Sequence, residues 1–214
     1  QWQLTHEPWQ DLYQQYMAAE EAARVDVACF RSLLQGVCET RAGLDEELAR
    51  FSGIPVADYE AAAKDAAAIG LPAAAGGNVE GWLSPTTYEF PENSTATQQL
   101  AIMVKRTVDE LARANVAPDQ QQRILTLASI VEGEVNAGTD RGKVARVIEN
   151  RLDNPTGPTV GFLQMDSTRN FAIQKRGNLS AADVAKSKES PFDTYAHKGL
   201  PPGPMTVVCR DWYM

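Results

Sequence analysis

Glu132 and Glu134 stand two positions apart at the end of the most apolar helical pattern in this chain, Ile124-Leu125-Thr126-Leu127-Ala128-Ser129-Ile130-Val131-Glu132-Gly133-Glu134-Val135-Asn136. At about 100° per residue, Ile124, Ala128, Val131 and Val135 line one buried stripe, and the two glutamates fall roughly 80° to either side of it. Each is then expected where core meets solvent. A carboxylic acid held there loses part of its hydration, which raises its pKa and lets it keep a proton near neutral pH. A general acid requires that property. Two ordinary boundary glutamates on an amphipathic helix would leave the same pattern, and periodicity does not choose between them.

Composition narrows the chemistry. The chain has 214 residues and a net charge of −8, room for one or two domains. The negative balance argues against nucleic acid or an anionic membrane surface as the main partner and fits a neutral or mixed-charge substrate. Cys29, Cys38 and Cys209 form no Cys-x-x-Cys, and His6 and His197 are far apart. Neither a structural zinc site nor a thiol redox motif is expected, and no metal or cofactor is implied. No stretch reaches the ~20 apolar residues of a membrane span, and no signal peptide stands out. The first residue is Gln1 rather than Met, as in a fragment of a longer protein.

The elements that must position the glutamates are mostly helical. Residues 1–43 read as two helices, with Trp9, Leu12, Tyr13, Tyr16 and Met17, then Val27, Phe30, Leu33, Leu34 and Val37, at helical spacing. Leu44, Leu48 and Phe51 form a short amphipathic turn before Gly53-Ile54-Pro55, and residues 58–68 predict an Ala-rich helix. Residues 71–78 have the composition of a flexible joint, which predicts a boundary between an N-terminal helical region, 1–75, and a domain over 76–204. Trp82, Tyr88 and Phe90 lie in a loop leading to a short strand; aromatic faces beside the carboxylate of Glu80 suit a sugar, and the same loop would equally cover a core. Residues 94–114 predict a helix with Leu100, Met103, Val104, Val108 and Leu111 inward, and Pro118 opens the central helix. Thr139 or Asp140 caps the next, whose inner face is Val144, Val147, Ile148 and Leu152. Val160, Phe162 and Gln164 suggest a strand, Asp166 or Ser167 caps a short helix, and Ser180 with Asp183 forms a capping box. Residues 190–195 read as extended, and residues 199–204 as rigid and turn-rich. The last ten residues carry no pattern.

Five motifs, in order, resemble one family. They are Glu-Gly-Trp-Leu-x-Pro-x-Thr-Tyr (80–88), Ala-Ser-Ile-Val-Glu-Gly-Glu (128–134), Val-x-x-Val-x-x-Asn-Arg-Leu (144–152) and Leu-Gln-Met-Asp-Ser-Thr (163–168). Ser-Pro-Phe-Asp-Thr-Tyr with Gly-Leu-Pro-Pro-Gly-Pro (190–204) completes the set. Together they resemble the endolytic murein transglycosylases, the YceG-like or MltG family, over about residues 44–204. The resemblance implies an α+β fold, predominantly helical with a few short strands, as a YceG-like catalytic domain. It implies a bacterial enzyme held at the outer face of the cytoplasmic membrane by an N-terminal transmembrane helix that this chain does not contain. Its partners would be peptidoglycan glycan strands and peptidoglycan synthases. Ser84 and Thr86 depart from the family's usual apolar and acidic residues, and residues 1–43 and 205–214 fall outside the resemblance, as in a truncated chain.

In that family the catalytic acid is the second glutamate of Ile-Val-Glu-x-Glu, which lands on Glu134. One carboxyl group would protonate the glycosidic oxygen and then accept the proton of the C6 hydroxyl, leaving a 1,6-anhydro-N-acetylmuramic acid end. Ordinary glycosidases need two carboxylates across the scissile bond; here a single group suffices. Glu80, Asn150, Gln164, Asp166 and Tyr195 are the candidates for holding sugar hydroxyls and acetamido groups, and Glu132 is assigned to structure. The alternatives are a non-catalytic fragment that binds peptidoglycan or a synthase, and a purely structural helical fragment.

Overall fold

The computed structural model describes residues 41–84, 86, 88–135, 141–175 and 177–206. The helices expected over residues 1–40 and the caps expected at Thr139 or Asp140 lie outside the described residues. So do all three cysteines. The described residues fall in the compact unit Cys38–Met214. Their helices are α1 (Arg41–Ser52), α2 (Val56–Ala62), α3 (Ala96–Arg113), α4 (Gln121–Glu134), α5 (Arg141–Asp153), α6 (Asp166–Ala172) and α7 (Ala181–Ser187), with a 3-10 turn at Ala73–Ala75. None is long and apolar enough to cross a membrane.

Two apolar clusters meet along α4. Leu125 and Ala128 join one with Leu48, Tyr59, Ile69, Trp82, Leu83, Leu100, Met103, Val104 and Leu111. Leu127, Ile130 and Val131 join the other with Ile148, Leu163, Met165 and Met205. The central helix is therefore buried on both flanks from Leu125 to Val131, not along a single stripe. A helix apolar all round belongs between two packing partners. It packs on α5, α6 and the 3-10 turn, while α2 packs on α1 and α3. Residues on both sides of Gly76 feed the first cluster, and Ala75 within the expected joint is itself buried.

Local chemistry explains the elements. Thr95 and Gln98 close a reciprocal capping box at the start of α3, and Ser180 and Asp183 do the same for α7. Gly81, at φ 79°, lies under Pro204: a β-carbon at that position would come within 2.3 Å of the proline Cβ. Trp82 follows, fully buried, its indole N–H donating to Gln122 Oε1 at 2.9 Å and its carbonyl accepting from Thr107 at 2.7 Å. The aromatic loop is a cover for the core. Trp82 offers no face to a sugar, and Tyr88 stacks on Phe90 with its hydroxyl donated to the Ser84 carbonyl.

Several expectations are corrected. No strand occurs among the described residues, so the mixed α+β reading reduces to helices joined by turns. Val160 and Gln164 take positive φ, 48° and 53°. Successive turn bonds, Val160 N–H to Gly157 and Phe162 N–H to Thr159, fold back the segment expected to be a strand. Residues 190–195 turn in the same way, Asp193 N–H donating to the Ser190 carbonyl. Helix α2 stops at Ala62, and Asp65 accepts the N–H of Ala68 in the turn beyond it. Helix α4 starts at Gln121, because Pro118 sits in the preceding turn, where Gln120 N–H bonds the Ala117 carbonyl. Val147 is exposed at 41%, leaving Ile148 as the buried anchor of α5.

Ser129, fully buried inside α4, donates to the Thr126 carbonyl and accepts the N–H of Met205 at 3.0 Å. It ties the proline-rich end of the described chain to the central helix. Ser129→Ala leaves the Met205 N–H without its acceptor. We expect a loss of about 1–3 kcal/mol, read from the urea midpoint, together with faster hydrogen exchange at Met205. An unchanged midpoint would show that the bond contributes nothing net.

Candidate active site

Glu134 is the last residue of α4. Beyond Val131 the helix leaves both apolar clusters, so its final turn is the first place where a polar side chain escapes the core. Glu132 turns to one side, 6% exposed in its side chain, and pairs with Arg141 of α5 at 3.1 Å. Glu134 turns toward α6 and accepts the N–H of Ser167 on Oε1 at 2.9 Å. That N–H is one of the first-turn donors that a helix leaves without an intrahelical partner. The approach is close because residue 133 is glycine: a β-carbon there would stand 2.7 Å from Ser167 Cβ. Met165, not Asp166 or Ser167, is the cap residue of α6, and it offers no side-chain bond. Glu134 supplies the carboxylate from another helix.

The loop before α6 is fixed by hydroxyl groups. Thr168 Oγ1 and Thr194 Oγ1 are 2.9 Å apart. Thr194 Oγ1 accepts Met165 N–H at 3.1 Å, and Thr168 Oγ1 accepts Thr194 N–H at 3.2 Å. Gln164 N–H donates to the Thr194 carbonyl at 3.1 Å, and Arg151 reaches the Leu163 carbonyl. The left-handed backbone at Gln164 lets Leu163 and Met165 both turn inward while its own side chain stays exposed. A non-glycine residue held in that region costs about 1–3 kcal/mol and persists only where surrounding bonds over-determine it.

Tyr195 closes the group. Its hydroxyl donates to Asp166 Oδ1 at 2.8 Å, and its N–H to Asp193 Oδ1 at 2.8 Å. Arg169, one turn along α6 from Asp166, lays its guanidinium over the Tyr195 ring, 3.6 Å from the centroid. The same arginine donates Nε–H to both oxygens of the fully buried Asp193, at 3.2 and 3.3 Å, and Ser187 adds a hydroxyl at 2.7 Å. Burial alone would raise the Asp193 carboxyl; bonds from Ser187 and the Tyr195 N–H, together with Arg169, outweigh it and hold the group below its ordinary value. Burial first, then the bond to Asp166 and the charges of Asp166 and Glu134, push the Tyr195 phenol up to about 12 against the pull of Arg169.

Of the residues singled out in the sequence, Glu134, Asp166, Gln164 and Tyr195 are therefore brought together. Asn150 is exposed on α5 and makes no bond to this group among the described residues; its neighbour Arg151 does the joining. Glu80 lies in the turn under Pro204, where its N–H donates to Asn78 Oδ1 at 3.0 Å. Sequence reasoning did not find Ser167, Arg169 or Asp193. Arg169 sits three residues after Asp166, on one helix face, but the Asp193 partner lies across a fold that spacing does not reveal. Among the described residues no cluster of acids, histidines or cysteines could hold a metal ion.

The sequence model of the YceG-like family matches residues 8–211, a wider span than the five motifs cover. Two proteins named endolytic murein transglycosylase are similar to this chain. One, from Bacillus subtilis (strain 168), is 32% identical over 133 residues, which is 59% of this chain and 35% of that protein. The other, from Streptococcus pneumoniae serotype 2 (strain D39 / NCTC 7466), is 34% identical over 143 residues, 62% of this chain and 25% of that protein. The aligned part thus spans about a third and a quarter of these curated relatives. A crystal structure of a yceG-like protein from Listeria monocytogenes shares the fold. Its TM-score is 0.63 at 24% identity, covering 84% of this chain and 62% of that one.

Two outcomes test this geometry. Gly133→Ala gains up to about 1 kcal/mol in helix propensity but forces α6 away from α4, an overpacking cost of about 1–3 kcal/mol. We expect net destabilisation in denaturant unfolding, and a gain in stability would contradict the close approach. For Tyr195, a folded pKa of about 12 against an ordinary 10.0 means the protonated phenol stabilises the fold below pH 10. That contribution is lost as pH rises through about 12. Asp166→Asn should lower the ionisation while burial keeps it above the ordinary value. The absorbance difference between the chain and its Tyr195→Phe variant reports it, and no movement would break the link to Asp166.

Proposed function

This chain belongs to the YceG-like family, and from that premise we propose that it is an endolytic peptidoglycan lytic transglycosylase with Glu134 as its acid and base. The observation that carries the reading is the two-sided state of the Glu134 carboxyl. Oε1 is engaged by the Ser167 N–H, and Oε2 makes no hydrogen bond among the described residues. An oxygen that accepts an N–H is not placed to donate along that direction, so the transferable proton belongs on Oε2. The names of the Bacillus and Streptococcus relatives support the substrate class.

The reaction then runs on one side chain. Oε2 donates its proton to the oxygen linking N-acetylmuramic acid to N-acetylglucosamine as the C1–O bond breaks. The resulting carboxylate takes the proton of the C6 hydroxyl on the same muramic acid residue, whose oxygen bonds to C1 and closes the 1,6-anhydro ring. The proton lost in the first half is regained in the second, so the enzyme ends as it began. Intramolecular attack needs no positioned water and gains from proximity. Asp166, next to the Ser167 that bonds Glu134, Tyr195 on Asp166 and Gln164, whose N–H bonds the residue before Tyr195, would hold sugar hydroxyls. Glu132, paired with Arg141, fixes the end of α4 rather than exchanging protons. On this reading the enzyme acts on nascent strands at the outer face of the cytoplasmic membrane, beside the synthases that make them.

Glu134→Gln keeps the shape and the acceptor for Ser167 but cannot cycle a proton. Release of anhydro-ended fragments from uncrosslinked peptidoglycan, followed by mass spectrometry, should fall at least about a hundredfold with the melting temperature little changed. Full activity in that variant would remove Glu134 from the chemistry. Glycan binding by the unaltered chain without anhydro product would make it a binding module.

A further inference from the structure

Arg169 uses little of its hydrogen-bonding capacity. A guanidinium carries five N–H donors in a fixed plane, and among the described residues only Nε–H is bonded, to Asp193. The side chain is 17% exposed. One face lies on the Tyr195 ring at 3.6 Å, and the Tyr195 hydroxyl runs to Asp166, whose neighbour Ser167 binds Glu134. Stacking and the Asp193 pair fix the plane of the group, so the direction of its terminal nitrogens is set before any ligand arrives. An arginine whose task was only to neutralise Asp193 would have no need to be laid flat on the Tyr195 ring.

We propose that Arg169 binds substrate by donating its terminal N–H groups to the amide carbonyl of an N-acetylated sugar next to Glu134. The charge balance selects a neutral acceptor. Asp193 already pairs with this guanidinium, and Asp166 lies at the hydroxyl of the tyrosine it covers, so a carboxylate on the ligand would enter surroundings that are already negative. An amide oxygen takes two donors from a planar fork without adding charge. The Tyr195 ring, its face covered by Arg169, leaves its edge and hydroxyl for the sugar hydroxyls. This assignment rests on the glycan-cutting reading for its ligand class, but its test does not require turnover.

Chitotetraose and cellotetraose differ by acetamido against hydroxyl at C2 and are both uncharged. Binding of each is measured by calorimetry on the Glu134→Gln chain, with Arg169 intact and as Arg169→Lys. Lysine keeps a cation opposite buried Asp193, which protects the fold, but it has no planar fork. We expect chitotetraose to bind the Arg169-containing chain at least about tenfold more tightly than cellotetraose, and Arg169→Lys to lose about tenfold for chitotetraose alone. A second variant, Arg169→Gln, should behave as the lysine does; if neither folds, protection of the arginine Nε–H and Nη–H proton resonances on adding chitotetraose to the unaltered chain decides. Equal losses for both sugars, no loss for either, no preference in the Arg169-containing chain, or unmoved resonances would overturn the proposal and leave Arg169 a structural partner of Asp193. Arginine-dependent preference for chitotetraose in a chain that releases no anhydro product would retain this site and remove the transglycosylase reading.

Discussion

Helix α4 has apolar neighbours on both flanks, Leu125 and Ala128 in one cluster, Leu127, Ile130 and Val131 in the other. A helix so enclosed cannot rotate or slide without exposing one of its faces, at about 1.5–3 kcal/mol for each large side chain moved into water. Its C-terminal end is thereby fixed in space. Glu134 is carried at that end, where the apolar run has stopped and polar partners become available. The position of the candidate acid is thus set by packing along the roughly two and a half turns before it, and the Ser167 N–H needs only to choose its rotamer.

Around that fixed end the structure places bonds of a different kind. The loop into α6 seats Leu163 and Met165 in the second cluster and holds its shape through two threonine hydroxyls, a strained glutamine and an arginine on a carbonyl. The turn at Asp193 is held by a buried carboxylate with donors from a serine, an arginine and a main-chain N–H. Removing one partner from such a buried set leaves the other uncompensated, typically at 3–5 kcal/mol. Apolar contacts position α4, while directional bonds, added to the anchoring of Leu163 and Met165, position what faces it.

The two glutamates show how environment separates like residues. Glu132 meets Arg141 and is almost wholly covered, so its charge is committed within the protein. Glu134 meets a main-chain N–H and retains an oxygen without a protein partner among the described residues. The first arrangement fixes a helix end; the second leaves one carboxylate oxygen without a partner among the described residues.

The amino-acid sequence by itself determined the helices with strong apolar periodicity, α3 and α5 among them, and the capping box at Ser180, because those signals act within a few residues. It also determined the family, since five motifs in order carry more information than any one pattern. It did not determine the strands expected at residues 88–90 and 160–164: alternation of apolar residues is shared by strands and by turns such as the one at Val160, whose positive φ turns the chain back. Nor did it separate the roles of Arg169, Asp193 and Ser167. Those rest on contacts across 24 and 33 residues, and a pairing at that separation leaves no periodicity in the chain. Only the tertiary structure decided them, because the energy of a buried ion pair or a borrowed helix N–H depends on where two distant segments meet.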